Sequence, residues 1–284
     1  MNKAILIFFS KNRAMQLDAA LRSFRVQCND ADTVSKFVIQ KTTSDIHSEQ
    51  YKYLQQENSD FTFIEECIVD ETSRIVEQIL EMADPYEFVS FHSDDNLYVN
   101  SFSLSEAIHI LQQNENVLTY SLRLGSNIRY CYTCDIENRR MKQPQFQPVD
   151  PRTFVFNWPG QEYDFGYPFE VSASIYHSSQ ALPIIAKYKG VPATRIEAFW
   201  DNHKGQFHTI PFMACPVISK VVNVPINRVG FYPNKISEKF GITVGELAYK
   251  FSEGYRINID QFSGFVSDSP HVELEFSFEK KVEK

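Results

Sequence analysis

Glycine is scarce in this chain, ten residues in 284, and the phosphate-cradling motifs built on it are missing. No G-x-G-x-x-G follows the first apolar run, which argues against a dinucleotide site, and no G-x-x-x-x-G-K-[ST] occurs, which argues against a P-loop. No G-x-S-x-G supplies a hydrolase elbow, and no H-E-x-x-H supplies a zinc-protease helix. Cysteine is sparse and odd in number: five, at 28, 67, 131, 134 and 215. Cys131-Tyr132-Thr133-Cys134 is a lone C-x-x-C without a second pair, so a closed zinc site is not expected. Reduced thiols in or near the core are. Positive charge is in deficit, 28 Lys+Arg against 36 Asp+Glu, which argues against a general nucleic-acid binder. No apolar run approaches the length that spans a bilayer. The opening MNKAILIFFS looks superficially like a secretory signal. Its apolar stretch ends at Phe9 and meets Lys11 and Arg13 with no small-residue cleavage site. A cytoplasmic protein, or a peripheral one at the inner membrane, is the expectation.

What is present is a foldable composition, 43% hydrophobic and 14% aromatic. Its charge is lopsided. Residues 1–110 carry 9 Lys/Arg and 18 Asp/Glu, whereas residues 111–284 carry 19 and 18. The acidic excess lies entirely in the first part, and any function placed there must live with it.

Residues 4–10 (AILIFFS) form a continuous apolar run of strand length, suited to a strand buried on both faces. Residues 12–25 then follow a 3.6 period through Met15, Leu17, Ala20, Leu21 and Phe24, which predicts a helix. Strands are expected at 34–40, 61–65 and 87–91, with helices at 47–56 and 72–82 between them. That alternation over about ninety residues predicts stacked βαβ units around a mostly parallel sheet. A further helix at 102–111 and a strand at 117–124 follow. Beyond 125 the texture becomes rich in Pro, Gly and aromatics. Residues 139–151 read as a loop, 181–188, 193–202, 237–240 and 244–251 as helices, 217–224 and 273–278 as strands, and 279–284 as a frayed end. The expected division is a βαβ-patterned half over 1–124 and a second half over 125–284, within one continuous domain.

Sheets of this kind bind ligands beyond the C-terminal ends of their strands. Two segments occupy such positions. After the fourth strand, Ser93-Asp94-Asp95 places two carboxylates in a turn. They are either solvated turn residues or ligands for a hard cation that leaves room for water and phosphate oxygens. After the first strand, Ser10-Lys11-Asn12-Arg13 is either an ordinary helix start with exposed charges or a place where phosphate meets backbone N–H groups and two cations.

These residues resemble a nucleotide-sugar-dependent glycosyltransferase of the GT-A fold, family-2-like. The resemblance rests on the first strand with Ser10, Arg13 and Gln16-Leu17, and on Ser93-Asp94-Asp95 as a variant D-x-D motif. It continues through Leu122-Arg123-Leu124-Gly125, Tyr167-Pro168, Glu197 and His271…Glu273. It implies an α/β core, with Asp95 ligating Mn²⁺ or Mg²⁺ on the donor diphosphate and Asp94 meeting the ribose or a metal-bound water. It also implies Ser10, Lys11, Arg13 and Arg74 near the nucleotide and His271 completing the metal shell. A lone His beside a strand is otherwise structural. Two departures stand out: Ser93 replaces the first Asp of D-x-D, and residues 40–43 (QKTT) carry no acid at the end of the second strand.

An inverting enzyme of this kind needs a carboxylate to deprotonate the acceptor hydroxyl. Glu197 is the favoured candidate and Asp164 the second. Trp158 and Trp200 are candidates for stacking on a sugar face, or else belong to the core. The expected partners are a nucleotide-sugar donor and a glycan or other hydroxyl acceptor. A nucleotidyltransferase is an alternative, though residues 10–16 lack the glycine such a loop uses. A non-catalytic carbohydrate- or partner-binding protein is another.

Overall fold

The computed structural model describes residues 3–70, 72–134, 140–188, 195–229 and 235–281. Strand β1 (Ala4–Lys11) forms on the first apolar run because both its faces are covered: Leu6 and Phe8 enter one core cluster, Ile5 and Ile7 the other. Next come α1 (Ala14–Gln27), β2 (Ser35–Lys41), α2 (Asp45–Glu57) and β3 (Thr62–Glu65). A small hairpin of β4 (Ile68–Val69) and β5 (Thr72–Ser73) leads to α3 (Ile75–Ala83) and β6 (Phe88–Ser93). Strands β3, β2, β1 and β6 lie in that order and all run parallel. The chain therefore steps outward from β1 to β3 and returns on the far side of β1. That reversal opens a crevice at the C-terminal ends of β1 and β6.

The second half extends the same sheet. It holds β7 (Asn96–Tyr98), α4 (Leu104–Gln113), β8 (Val117–Ser121), β9 (Gln147–Asp150), β10 (Thr153–Asn157) and β11 (Ser174–His177). Then come α5 (Ser178–Ile185), α6 (Ile196–Asp201), β12 (Phe212–Pro216), β13 (Val221–Asn223), α7 (Val244–Ser252), β14 (Tyr255–Ile257) and β15 (Phe278–Lys280). From β6 the sheet continues β11-β8-β12-β10-β9. β11 lies antiparallel between β6 and β8, and β12 runs parallel to β8. Helices α1, α4 and α7 cover one face with Leu17, Phe24, Leu104, Leu111 and Leu247; α3, α5 and α6 cover the other with Ile79, Ile184 and Trp200.

Several expectations are corrected. The stretch expected as a loop contains β9, while Arg139 lies outside the described residues. So do 193 and 194, the start of the helix expected over 193–202; the described helix is α6. Residues 237–240 form a bend and not a helix; Ser237 Oγ donates to Glu273 Oε2 at 2.9 Å and accepts from the Phe240 amide at 2.9 Å, a single capped turn that is not continued. The alternating 273–278 segment is extended but largely unpaired, and the ladder forms later, where β15 joins β14. Glu279 and Lys280 are therefore paired in a ladder and not frayed, while 282–284 of the expected frayed end lie outside the described residues.

Among the described residues no helix is long and apolar enough to cross a membrane. Helix α7 opens with a capping box in which the Thr243 hydroxyl accepts from the Glu246 amide at 3.1 Å and the Glu246 side chain accepts from the Thr243 amide. Thr243→Ala is expected to cost about 1 kcal/mol, read as a shifted urea midpoint with an unchanged slope.

Candidate active site

At the reversal point Phe9 registers with Ser93, and the Asp94 amide donates to the Phe9 carbonyl at 3.1 Å. That pairing presses the segment after β1 against the Ser93-Asp94-Asp95 turn. Ser10 Oγ donates to Asp94 Oδ2 at 2.8 Å, and the Lys11 amide adds a bond at 3.3 Å. Arg13 Nη1 donates to Asp94 Oδ1 at 2.9 Å and lies 3.8 Å from Asp95 Oδ2, while Nη2 donates to the Asn227 carbonyl. Tyr51, buried on α2, ties the loop down: its hydroxyl bonds Ser10 Oγ and accepts from the Arg13 amide at 3.1 Å. Asn12 turns the chain at φ 56°, a left-handed conformation that asparagine tolerates. Its side chain exchanges bonds with Thr43 at 2.7 and 3.0 Å.

The adjacent aspartates thus live in different surroundings. The Asp94 side chain is 5% exposed and both its oxygens are engaged. Burial pushes its carboxyl up, with Arg13 and Ser10 opposing. Burial also works against the Arg13 charge, but Asp94 and Asp95 outweigh it and hold the guanidinium above its ordinary value. The Asp95 side chain is 20% exposed. Its Oδ1 accepts from Ser93 Oγ at 2.6 Å and Asn223 Nδ2 at 3.2 Å, while Oδ2 faces Arg13 from beyond hydrogen-bond range. Asp95 Oδ2 is therefore the oxygen open to a ligand.

A second set of charges faces this one. Arg123, just past β8, is buried; its Nη1 donates to Asp164 Oδ1 at 2.7 Å and its Nε lies 3.6 Å from Glu170 Oε1. Burial raises the Glu170 carboxyl, with Arg123 opposing. Glu197, on the short helix α6, is pushed up to about 8, chiefly by burial and then by Glu170, Asp201 and Asp95, against Arg123. The His271 imidazole is pushed down by burial and by Arg123, against the pull of Asp164 and Asp95. Asp95, Asp164, Glu170, Glu197 and His271 therefore share one electrostatic neighbourhood, although they come from both halves of the chain.

The structure brings together Ser10, Arg13, Asp94 and Asp95 by direct contact, and Glu197, Asp164 and His271 by field. Lys11 joins through its amide. Arg74, the residue before α3, is half-exposed and paired with Glu77 at 3.1 Å. The two tryptophans are a correction. Trp158 is 2% exposed, with Nε1 donating to the Ile210 carbonyl, and Trp200 is fully buried, stacked on Phe169 at 4.7 Å. Neither offers a face to a sugar, because both fill the core beneath the sheet. The cysteines divide: 28, 131 and 215 are buried, while 67 and 134 are exposed. Sequence reasoning missed Tyr51, Glu170 and Asn223, and did not assign Arg123 a role. For Arg123 a signal existed, since a lone cation ending the apolar run VLTYSLRL must find buried carboxylates.

No family model matches the chain. Over 204 residues it is 29% identical to the bifunctional glycosyltransferase pgtA of Dictyostelium discoideum. That match covers 66% of this chain and 26% of pgtA, so the chain spans about a quarter of that relative's length. Among solved structures, TarS residues 1–349 of S. aureus in complex with UDP-GlcNAc superposes with a TM-score of 0.50 at 13% identity, covering 80% of this chain and 59% of that one. The fold is the GT-A fold. The mannosyltransferase PcManGT of Pyrobaculum calidifontis, solved with GDP-Man and Mn²⁺, gives a TM-score of 0.41 at 15% identity, covering 67% of this chain and 47% of its own.

Among the described residues no three His, Cys, Asp or Glu stand close enough to hold a metal ion by themselves. One open carboxylate oxygen with an imidazole nearby fits a hard cation that takes its remaining oxygens from water and a diphosphate. It does not fit a closed protein cage.

Proposed function

We propose that the chain is a glycosyltransferase that moves a sugar from a nucleotide diphosphate donor to a hydroxyl acceptor with the help of a divalent cation. The observation that supports this best is the convergence at the β1–β6 reversal: Asp95 with one oxygen open, and Glu197 and His271 reaching its field from the other half of the chain. The likeness to pgtA, a protein named a glycosyltransferase, points the same way.

In this reading Asp95 Oδ2 and His271 would hold Mn²⁺ or Mg²⁺, and the ion would supply Lewis-acid stabilisation of the departing diphosphate. A cation is also what the charge of residues 1–110 requires, because an acidic region repels a diphosphate unless a metal stands between them. Ser10 and Tyr51 hold the loop after β1, and Arg13 is fixed against Asp94, so the pair shapes the donor side. Glu197 takes the proton of the attacking hydroxyl. Asp164 is less suited to that task because its carboxylate is committed to Arg123. Residues 1–124 carry the donor side and 125–284 the acceptor side.

The test is a thermal-shift series with UDP- and GDP-sugars, with and without Mn²⁺, since a ligand that binds only the folded state raises its melting point. A metal-dependent shift with at least one donor is expected. No shift with any nucleotide in either condition overturns the reading.

Glu197 gives a second prediction. Its folded pKa lies above the usual carboxylate value, so the fold binds its proton more tightly than the unfolded chain does. This contribution to stability is complete below about pH 4.5 and is lost as pH rises toward about 8. The base form fills over the same rise, so turnover is expected to climb through about pH 8. Glu197→Gln should lower turnover about a hundredfold and flatten that limb. An unchanged pH profile would remove Glu197 from the role.

A further inference from the structure

Two donors aim the Asp95 carboxylate, and one of them comes from the far half of the chain. Asn223, the last residue of β13, is 2% exposed. Its Nδ2 lies 3.2 Å from Asp95 Oδ1, 3.3 Å from Ser93 Oγ and 3.1 Å from Ser172 Oγ. Two amide hydrogens thus serve three acceptors. Its Oδ1 is buried with no partner. The opposite amide orientation would set that oxygen against the Asp95 carboxylate, so electrostatics assigns Nδ2 to Asp95. A residue kept only for packing has no reason to carry an orphaned amide oxygen into the interior.

The backbone of the same residue reaches the other proposed ligand. The Asn223 amide donates to the Pro270 carbonyl at 2.8 Å, and its carbonyl accepts from the Val272 amide at 3.0 Å, which bridges the chain across His271. Asn223 therefore grips Asp95 with its side chain and brackets His271 with its main chain.

Resting on the glycosyltransferase reading above, we infer that Asn223 is the positioning residue of the cation site: its amide fixes Asp95 Oδ1, leaves Oδ2 turned toward a divalent cation, and its backbone keeps His271 beside the same ion. Ser93 then has a definite place. Where a full D-x-D has its first carboxylate, this chain has a hydroxyl that donates to Asp95 Oδ1 at 2.6 Å, so Ser93 and Asn223 together satisfy one oxygen and leave one ligating oxygen free. Hydrogen-bond partners of this kind orient metal-ligating carboxylates, and their loss weakens metal binding by about 10- to 100-fold.

The test titrates Mn²⁺ calorimetrically into the whole chain at saturating UDP or GDP, whichever the wild type binds, with the protein-free titration subtracted. Asn223→Ala is expected to raise the Kd for Mn²⁺ about 10- to 100-fold while leaving metal-free nucleotide affinity within about twofold. Asn223→Asp keeps the shape and loses the donor, so it should weaken Mn²⁺ as well, and it carries the test if the alanine variant does not fold. Mn²⁺ binding unchanged in the folded variants, with only the melting point lowered, reduces Asn223 to a packing residue and overturns the inference. Tighter Mn²⁺ binding by Asn223→Asp overturns it too, because position 223 would then touch the ion itself. A wild type that binds nucleotide but no Mn²⁺ defeats both this inference and the metal-dependent reading beneath it. A wild type that binds Mn²⁺ equally to Asn223→Ala leaves that reading standing and defeats this inference alone.

Discussion

Asp95→Ala is expected to lower turnover about a thousandfold and to erase the Mn²⁺ dependence of nucleotide binding, with the fold intact. The magnitude follows from the size of metal-borne charge stabilisation, several kcal/mol, at tenfold in rate for about 1.4 kcal/mol. Retention of the fold follows from the surroundings. Asp95 is the partly exposed member of the pair, and its removal leaves Arg13 bound to Asp94 at 2.9 Å and to the Asn227 carbonyl. Asp94→Asn makes the contrast. It removes the nearer, hydrogen-bonded carboxylate at 2.9 Å and leaves the buried Arg13 guanidinium only the longer 3.8 Å contact to Asp95, so it should lower stability first and activity as a consequence. Steady-state kinetics and melting curves on the two variants separate them. A Mn²⁺-dependent nucleotide shift that survives Asp95→Ala would show that Asp95 is not the ligand.

The first half of the fold was legible because its elements are made by local pattern. β1 is apolar on every residue from Ala4 to Phe8 since Ile5 and Ile7 face one layer while Leu6 and Phe8 face the other. α1 turns Leu17, Leu21 and Phe24 inward at helical spacing. The turn at Ser93-Asp94-Asp95 was visible as polarity ending an apolar strand. The second half was not legible in the same way, because its strands are placed by distant partners. β11 inserts antiparallel between β6 and β8, whose residues lie more than fifty positions earlier, and no periodicity within Ser174–His177 announces that. The aromatic segment misled for a related reason. A ring that stacks on a sugar and a ring that stacks on Phe169 have the same sequence signature, and Trp200 does the second. Asn223 had no signature at all: an asparagine ending a short strand becomes significant only when Asp95 and His271 arrive beside it.

Arg123→Ala is the substitution expected to harm the fold most. It leaves the Asp164 and Glu170 carboxylates buried with no cation between them, and breaking a buried ion pair from one side typically costs about 3–5 kcal/mol. The local accounting is already tight, since Asp164 Oδ2, Glu170 Oε1 and Arg123 Nε have no hydrogen-bond partners. The pH dependence gives the deficit a sign. Burial already raises the Glu170 carboxyl while Arg123 holds it down, so removing Arg123 raises it further. A carboxyl raised in the folded state favours folding when protonated and loses that contribution as pH rises. The variant should therefore be closest to wild type near pH 5 and furthest from it at pH 8. Arg123→Met combined with Asp164→Asn and Glu170→Gln removes the charges together and should recover much of the loss, because a neutral buried cluster avoids the desolvation of unpaired ions. Urea unfolding at the two pH values decides the matter. A deficit independent of pH, or no recovery in the combined variant, would mean that Arg123 acts by packing and not by charge. The same experiment bears on the active site, since Arg123 also holds down the Glu197 carboxyl. A folded Arg123→Ala variant should carry its activity limb to higher pH than the wild type, whereas the combined variant, which also removes the Glu170 charge that raises Glu197, should not; the charge that keeps the second half folded is thereby linked to the protonation state of the proposed base.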